Sequence, residues 1–246
     1  MLKLDRYQKN MQIGGLDEAQ QRKLLASKVL IMGVGGLGSG VAMNLAGLGI
    51  GAIKVVDCEV VEVENFNRQL IHKYKNLGRA KVMSAKEWIQ EFNPDIKVEI
   101  EKTKINDLNY FSVIEDYDII VDCFDNYESK YMLNEIALRH NRILVHGSIQ
   151  GYCGQVTTIV PNKTGCLSCI MQKPKVFEKE TLCSLAPVVS TISSLQAQEV
   201  LKIITGSGEP LLNKFLVFDG YKSEMKILPF SKNFNCEACS IQEPIF

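Results

Sequence analysis

An apolar run, Val29-Leu30-Ile31-Met32, leads directly into Gly33-Val34-Gly35-Gly36-Leu37-Gly38, and this junction limits the possible folds more than any other stretch of the chain. Glycine tolerates positive φ and admits close backbone approach, so Gly33-x-Gly35-x-x-Gly38 reads as a tight strand-to-helix turn. Its N–H groups and the helix N-terminus that follows can face a phosphate. Gly38, Gly40, Ala42 and Ala46 then give a helix face small enough to lie close on a sheet, ending at Gly47 to Gly51. A second strand, Ala52 to Val56, closes on Asp57, 19 residues after Gly38, where a carboxylate can accept from ribose hydroxyls.

The same alternation continues. Acid at the start and base toward the end of Asp17 to Ala26 predict a lead-in helix before strand Lys28 to Met32. A helix is expected over Gly78 to Glu91, stopping before Asn93-Pro94 because a residue preceding proline avoids the helical region. Strand Lys97 to Glu101, the acid-bounded apolar strand Asp118 to Asp122, helix Glu128 to Arg139 and strand Arg142 to His146 follow. Strand and helix alternating to about residue 150 predict an α/β fold: an open, doubly wound, Rossmann-like and mostly parallel sheet. Beyond it, Gln155 to Val160, Lys214 to Phe218 and Met225 to Leu228 read as strands of an antiparallel C-terminal extension, with a helix from Val188 to Thr205 between them.

With 246 residues, 46% of them apolar, the chain can bury one full core, and we read residues 1–246 as a single domain with appendages. Lys and Arg number 28, as do Asp and Glu, so no broad basic field favours nucleic acid as a partner. The start, Met1-Leu2-Lys3-Leu4-Asp5-Arg6, lacks the apolar core of a secretory signal, and no run reaches the ~18 apolar residues of a membrane span. A cytoplasmic protein is expected. Its eight cysteines then read as thiols, metal ligands or redox sites in preference to a disulfide framework.

The glycine turn and Asp57 alone would serve a nicotinamide dinucleotide as well as ATP. Arg68 and Lys81 add two positive charges past the second strand, and Asp125-Asn126 follow strand Asp118 to Asp122 on the same carboxyl edge of the sheet. Cations and a metal-holding carboxylate suit a triphosphate with Mg²⁺, and redox dinucleotides do not require them.

These stretches, with Arg6-Tyr7-Gln8-Lys9, Asp57-Cys58-Glu59, Asn65-Phe66-Asn67-Arg68-Gln69, Gly78-Arg79-Ala80-Lys81, Asp122-Cys123-Phe124-Asp125-Asn126, Gly154-Gln155-Val156 and Ser194-Leu195-Gln196-Ala197, resemble the MoeB/ThiF/HesA family of ubiquitin-activating-type adenylyltransferases, in order and over nearly the whole chain. The resemblance implies ATP-dependent adenylation of the C-terminal glycine carboxylate of a small ubiquitin-like sulfur carrier ending in Gly-Gly, of the ThiS/MoaD type that serves molybdopterin or thiamine biosynthesis. It implies that Asp57 holds the ribose, that Asn65, Arg68 and Lys81 contact phosphates, that Asp125 binds Mg²⁺, and that Gly35, Gly36, Gln69 and Asn126 complete the nucleotide site. Residues 1–150 would form the nucleotide-binding half and 151–246 the carrier-binding, zinc-stapled half. A homodimer is implied too. The family commonly has an arginine at the position of Lys9, supplied to the partner subunit's ATP; lysine keeps the charge without the bidentate fork, or Arg6 takes the part.

Cys166-x-x-Cys169 and Cys236-x-x-Cys239 can converge on one tetrahedral Zn²⁺, as the family also suggests, with two disulfides or unpaired thiols as the alternatives. Cys183 stands where many relatives keep a reactive cysteine, after a charged, mobile crossover linker, Lys173 to Glu180; the stretch from it to Pro187 is shorter than the usual family loop and lacks its glycine. A thioester or persulfide role and an inert thiol both remain open there. Cys58, Cys123 and Cys153 are expected as small core residues, and His72, His140 and His146 as structural or surface residues. Two other readings stand beside the adenylyltransferase: an NAD-dependent oxidoreductase, and a non-catalytic, peptide-directed or tRNA-directed member of the same family.

Overall fold

The computed structural model describes residues 4–106, 108–171 and 183–240. The crossover stretch Lys173 to Glu180 lies outside them. Among the described residues eight strands form one sheet in the order β3-β2-β1-β4-β5-β6-β7-β8: β1 (Lys28–Met32), β2 (Ala52–Val56), β3 (Lys97–Glu101), β4 (Ile119–Asp122), β5 (Ile143–Gln150), β6 (Cys153–Ile159), β7 (Lys214–Asp219) and β8 (Glu224–Pro229). The first five run parallel and the last three antiparallel, so the doubly wound, mostly parallel sheet with an antiparallel C-terminal extension is what the chain forms.

Side chains alternate across the strands into two cores. Val29, Ile31 and Val55 face one side, against α1 (Glu18–Ala26), α2 (Gly36–Leu48), α3 (Lys81–Phe92) and the long C-terminal helix α7 (Ala186–Thr205). Leu30, Met32 and Ile120 face the other, against α4 (Tyr110–Ile114), α5 (Tyr127–Arg139), α6 (Leu167–Ile170) and the four paired-motif cysteines. Among the described residues no helix is long and apolar enough to cross a membrane.

Helix α3, strand β5 and helix α7 have boundaries that differ from the sequence reading. Helix α3 begins at Lys81 and not at Gly78, because the chain before it is occupied elsewhere: Gly78 has φ +76°, Val61 N–H donates to Arg79 O at 2.9 Å, and Val60 bridges Ala80. Strand β5 continues four residues past His146, where its parallel partner β4 ends, because it turns at Gly151 to pair with β6. Helix α7 starts at Ala186 with Pro187 in its first turn, where a missing N–H breaks no helical bond. The short helices α4 and α6 were not anticipated.

Candidate functional site

The carboxyl ends of β1 and β4 diverge at the point where strand order reverses, the usual ligand position in an open α/β sheet. A cleft of about 300 Å³ opens there. Its floor is the glycine turn. Gly33 has φ +89°, and a Cβ on Gly38 would sit 2.0 Å from Gly33 O, so only glycine closes this turn. Helix α2 starts at Gly36 with no side chain capping its N-terminus, and that end borders the cleft.

Asp57 stands at the end of β2 and grips the turn: Oδ2 accepts from Val34 N–H and Oδ1 from Glu59 N–H, both at 2.8 Å. Arg68 lines the cleft, with Nη1 donating to Glu64 O at 3.0 Å and Asn67 Oδ1 at 2.9 Å. Lys81, almost fully buried, directs its ammonium to Glu59 Oε2 at 2.5 Å. Asp125 is exposed on the opposite wall, with Asn126 Nδ2 3.3 Å from Oδ1, and Asn126 Oδ1 caps α5 by accepting from Ser129 N–H. Gly35, Gly36, Asp57, Arg68, Gln69, Lys81, Asp125 and Asn126 all border this one cavity.

Two expected contributors lie elsewhere. Asn65 is buried outside the cleft lining, where its Oδ1 accepts from Glu62 N–H at 2.9 Å and closes the turn that presents Arg68. Lys9 is exposed on the N-terminal segment, which is anchored by Tyr7: its hydroxyl accepts from Asn93 Nδ2 at 2.9 Å, and Gln21 below it donates to Leu48 O. Those contacts are at the C-terminal ends of α2 and α3, hence at the sheet edge opposite the cleft. Lys9 therefore has no route to its own chain's glycine turn, and Arg6 beside it is tied to Phe92 O at 3.2 Å.

Behind the cleft lies a cluster that the sequence reading missed. Asp122, at the last position of β4, is fully buried and meets Lys130 Nζ at 3.2 Å and His146 Nδ1 at 2.7 Å, while Lys130 also donates to Gly147 O at 2.6 Å. Burial raises the Asp122 carboxyl, but the Lys130 charge and the His146 hydrogen bond outweigh it and hold the group below its ordinary value. Burial lowers His146, which leaves a neutral ring donating from Nδ1. His72 is also neutral: burial brings it down to about 4, with Nε2 on Val34 O at 3.0 Å and Nδ1 on Ser84 Oγ at 2.9 Å, so it braces the glycine turn from beneath. The lysine eight residues after Asp122, in the first turn of the helix that follows β4, was the available sequence signal.

Cys123 is buried as expected, but Cys58 and Cys153 are exposed, which corrects their reading as core residues: Cys58 follows the end of β2 at the cleft mouth and Cys153 opens β6 beside the Gly151 turn. Burial and the charges of Asp57 and Glu59 push the Cys58 thiol up, away from a reactive thiolate. Cys183 is exposed at the rim. Its carbonyl accepts from Gly151 N–H at 2.7 Å, and Ser184 beside it lines the cavity.

On the α5 side, Cys166, Cys169, Cys236 and Cys239 bring their sulfurs within 4.8 Å of one another, with Cys166–Cys236 at 3.7 Å and Cys169–Cys239 at 3.5 Å. A tetrahedron of thiolates at ~2.3 Å from zinc has edges of roughly 3.8 Å. The donor set and its spacing fit that ion.

A family model described as the ThiF family matches residues 7–239. The chain is 35% identical over 240 residues to "Adenylyltransferase and sulfurtransferase MOCS3" of Culex quinquefasciatus, covering 96% of this chain and 55% of that protein. It is 33% identical to the "SAMP-activating enzyme E1" of Haloferax volcanii, over 96% of this chain and 88% of the relative. Among solved structures, E. coli MccB with MccA-N7isoASN superposes with a TM-score of 0.87 at 26% identity, covering 98% of this chain and 76% of that one. The same enzyme with ATP superposes with a TM-score of 0.82 at 27% identity, over 90% of this chain and 69% of that one. The chain thus spans about half the length of the mosquito relative.

Proposed function

The chain belongs to the ThiF family, and from that premise we propose that it is an ATP-dependent adenylyltransferase that activates the C-terminal carboxylate of a small ubiquitin-like sulfur carrier ending in Gly-Gly. The observation that carries this reading is the convergence of the glycine turn, Asp57, Arg68, Lys81 and Asp125 on one cavity. A nicotinamide dinucleotide would use the turn and Asp57 and leave the rest of that set without work.

The chemistry asks little of general acids and bases. A carboxylate is already ionised at neutral pH, so its oxygen attacks the α-phosphorus without a base, and pyrophosphate leaves as the Pα–O bond to it breaks. Asp57 orients the ribose. The α2 N-terminus, Arg68 and Lys81 face the phosphates and offset the charge that moves onto pyrophosphate. The exposed Asp125 carboxylate would hold Mg²⁺ with the phosphate oxygens, and the ion would supply further charge neutralisation there. Zn²⁺ in the four-cysteine cluster would be structural, tying the segment around Cys236 to α6.

The position of Lys9 at the far sheet edge supports its action on a nucleotide of a second copy, hence a homodimer; exposed Val63, Leu70, Tyr74 and Met83 supply apolar surface for one. The relatives' names support a sulfur-carrier destination, and MccB solved with MccA supports a peptide as the second reading of the acceptor. ATP–pyrophosphate exchange with candidate acceptors separates the two: a Gly-Gly carrier that stimulates exchange supports the first, and a peptide that alone does so supports the second.

A further inference from the structure

Lys81 has a counter-charge supplied by its own chain. Its side chain is only 4% exposed, its ammonium donates to Glu59 Oε2 at 2.5 Å, and its backbone N–H donates to Glu59 O at 3.0 Å. The two residues meet because Val60 bridges Ala80 and Val61 N–H donates to Arg79 O, a short crossing outside the main sheet. Their main chains are therefore fixed, and the Glu59 carboxylate, 58% exposed at the side chain, can leave by side-chain rotation alone. Both residues line the cleft.

We propose that Glu59 is a built-in stand-in for phosphate: its carboxylate holds Lys81 while the cleft is empty, is displaced by the triphosphate, and recaptures the ammonium as pyrophosphate leaves. This rests on the adenylation reading to the extent that Lys81 meets phosphate. A buried ammonium requires an anion at every stage, and stripping a buried ion of its partner is strongly unfavourable. An exchange of one anion for another keeps Lys81 paired throughout. Glu59 is a positioning residue that acts through Lys81, and it weakens nucleotide affinity in return for product release.

The sign distinguishes this from a structural or sugar-binding role. Removing a carboxylate that must be displaced destabilises the free state more than the bound state, so affinity rises; removing a ligand contact or a structural brace lowers it. Calorimetric titration of Mg-ATP, and of pyrophosphate alone, into wild type, Glu59→Gln, Glu59→Asp and Lys81→Ala reads this directly. We expect Glu59→Gln to bind both about tenfold tighter, the worth of one charge-assisted hydrogen bond. Glu59→Asp, too short to hold the ammonium as closely, falls between, and Lys81→Ala binds weakly. In exchange assays the glutamine variant lowers KM and kcat together, since pyrophosphate leaves slowly. Equal or weaker binding by Glu59→Gln overturns the proposal. If that variant fails to fold, Glu59→Asp decides by the same criterion. Wild type that binds neither compound overturns the functional reading and this inference with it; wild type that binds, with unaltered variants, overturns this inference alone.

Discussion

Asp122 and Lys130 face each other in the dry interior behind the cleft, Nζ lying 3.2 and 3.3 Å from the two carboxylate oxygens with both side chains essentially inaccessible to water. Asp122 ends β4 and Lys130 sits on α5, so this pair fixes the turn between them that carries Asp125 and Asn126. Breaking a buried pair from one side leaves an uncompensated charge, and Lys130→Met should destabilise the fold by about 3–5 kcal/mol in urea denaturation. The double variant with Asp122→Asn should lose less than the two single losses together. A loss below ~1 kcal/mol for Lys130→Met, the scale of an exposed ion pair, would show that the cluster is not holding the turn.

Acid should weaken the protein through His72. Its folded-state pKa of about 4 lies below the ordinary 6.5, so the unfolded chain binds more protons between those values. The contribution is fully present above pH 6.5 and is lost as pH falls toward 4, with a total of about 3 kcal/mol. His146, also lowered, acts in the same direction. Denaturation midpoints recorded across that window should flatten in His72→Gln, and an unchanged slope would remove His72 from the explanation.

Freshly purified protein should carry about one zinc per chain, bound by Cys166, Cys169, Cys236 and Cys239. Cys236→Ser should lower both metal content and thermal stability. Full stability after complete removal of metal by chelator would contradict a structural role.

Cys183 lies at the rim, beside Ser184, while Lys81 and Asp125 lie within the cleft lining. Cys183→Ser should therefore leave adenylate formation unchanged and reduce sulfur loading of the carrier. Equal loading by the serine variant, followed by mass spectrometry of the carrier, would leave the thiol without a covalent role.

The parallel half of the fold was legible because strand, glycine turn and small-residue helix each carry a local signal. Boundaries failed where distant pairing decides them: nothing near Gly78 announces that Arg79 bonds Val61, and nothing after His146 announces the hairpin with β6. At the site, the glycine turn, Asp57, Arg68, Lys81 and Asp125-Asn126 were readable from their order along the carboxyl edge, while Gln69 and the individual roles came from the family resemblance. Glu59 and the Asp122–Lys130–His146 cluster were not readable, since their roles depend on which side chains the sheet brings within hydrogen-bond reach. The exposure of Cys58 and Cys153 escaped for a related reason, because residues adjoining strands can end in solvent once the strand stops.

ATP–pyrophosphate exchange measured with Mg²⁺, with and without a carrier ending in Gly-Gly, for wild type, Lys81→Ala and Asp125→Ala tests adenylation at this cleft most directly. We predict carrier-dependent exchange in wild type, reduced roughly 10²–10³-fold in each variant at unchanged melting temperature. Exchange that persists in Lys81→Ala, or wild-type protein that binds ATP yet exchanges with no carrier or peptide acceptor, would contradict adenylation at this cleft.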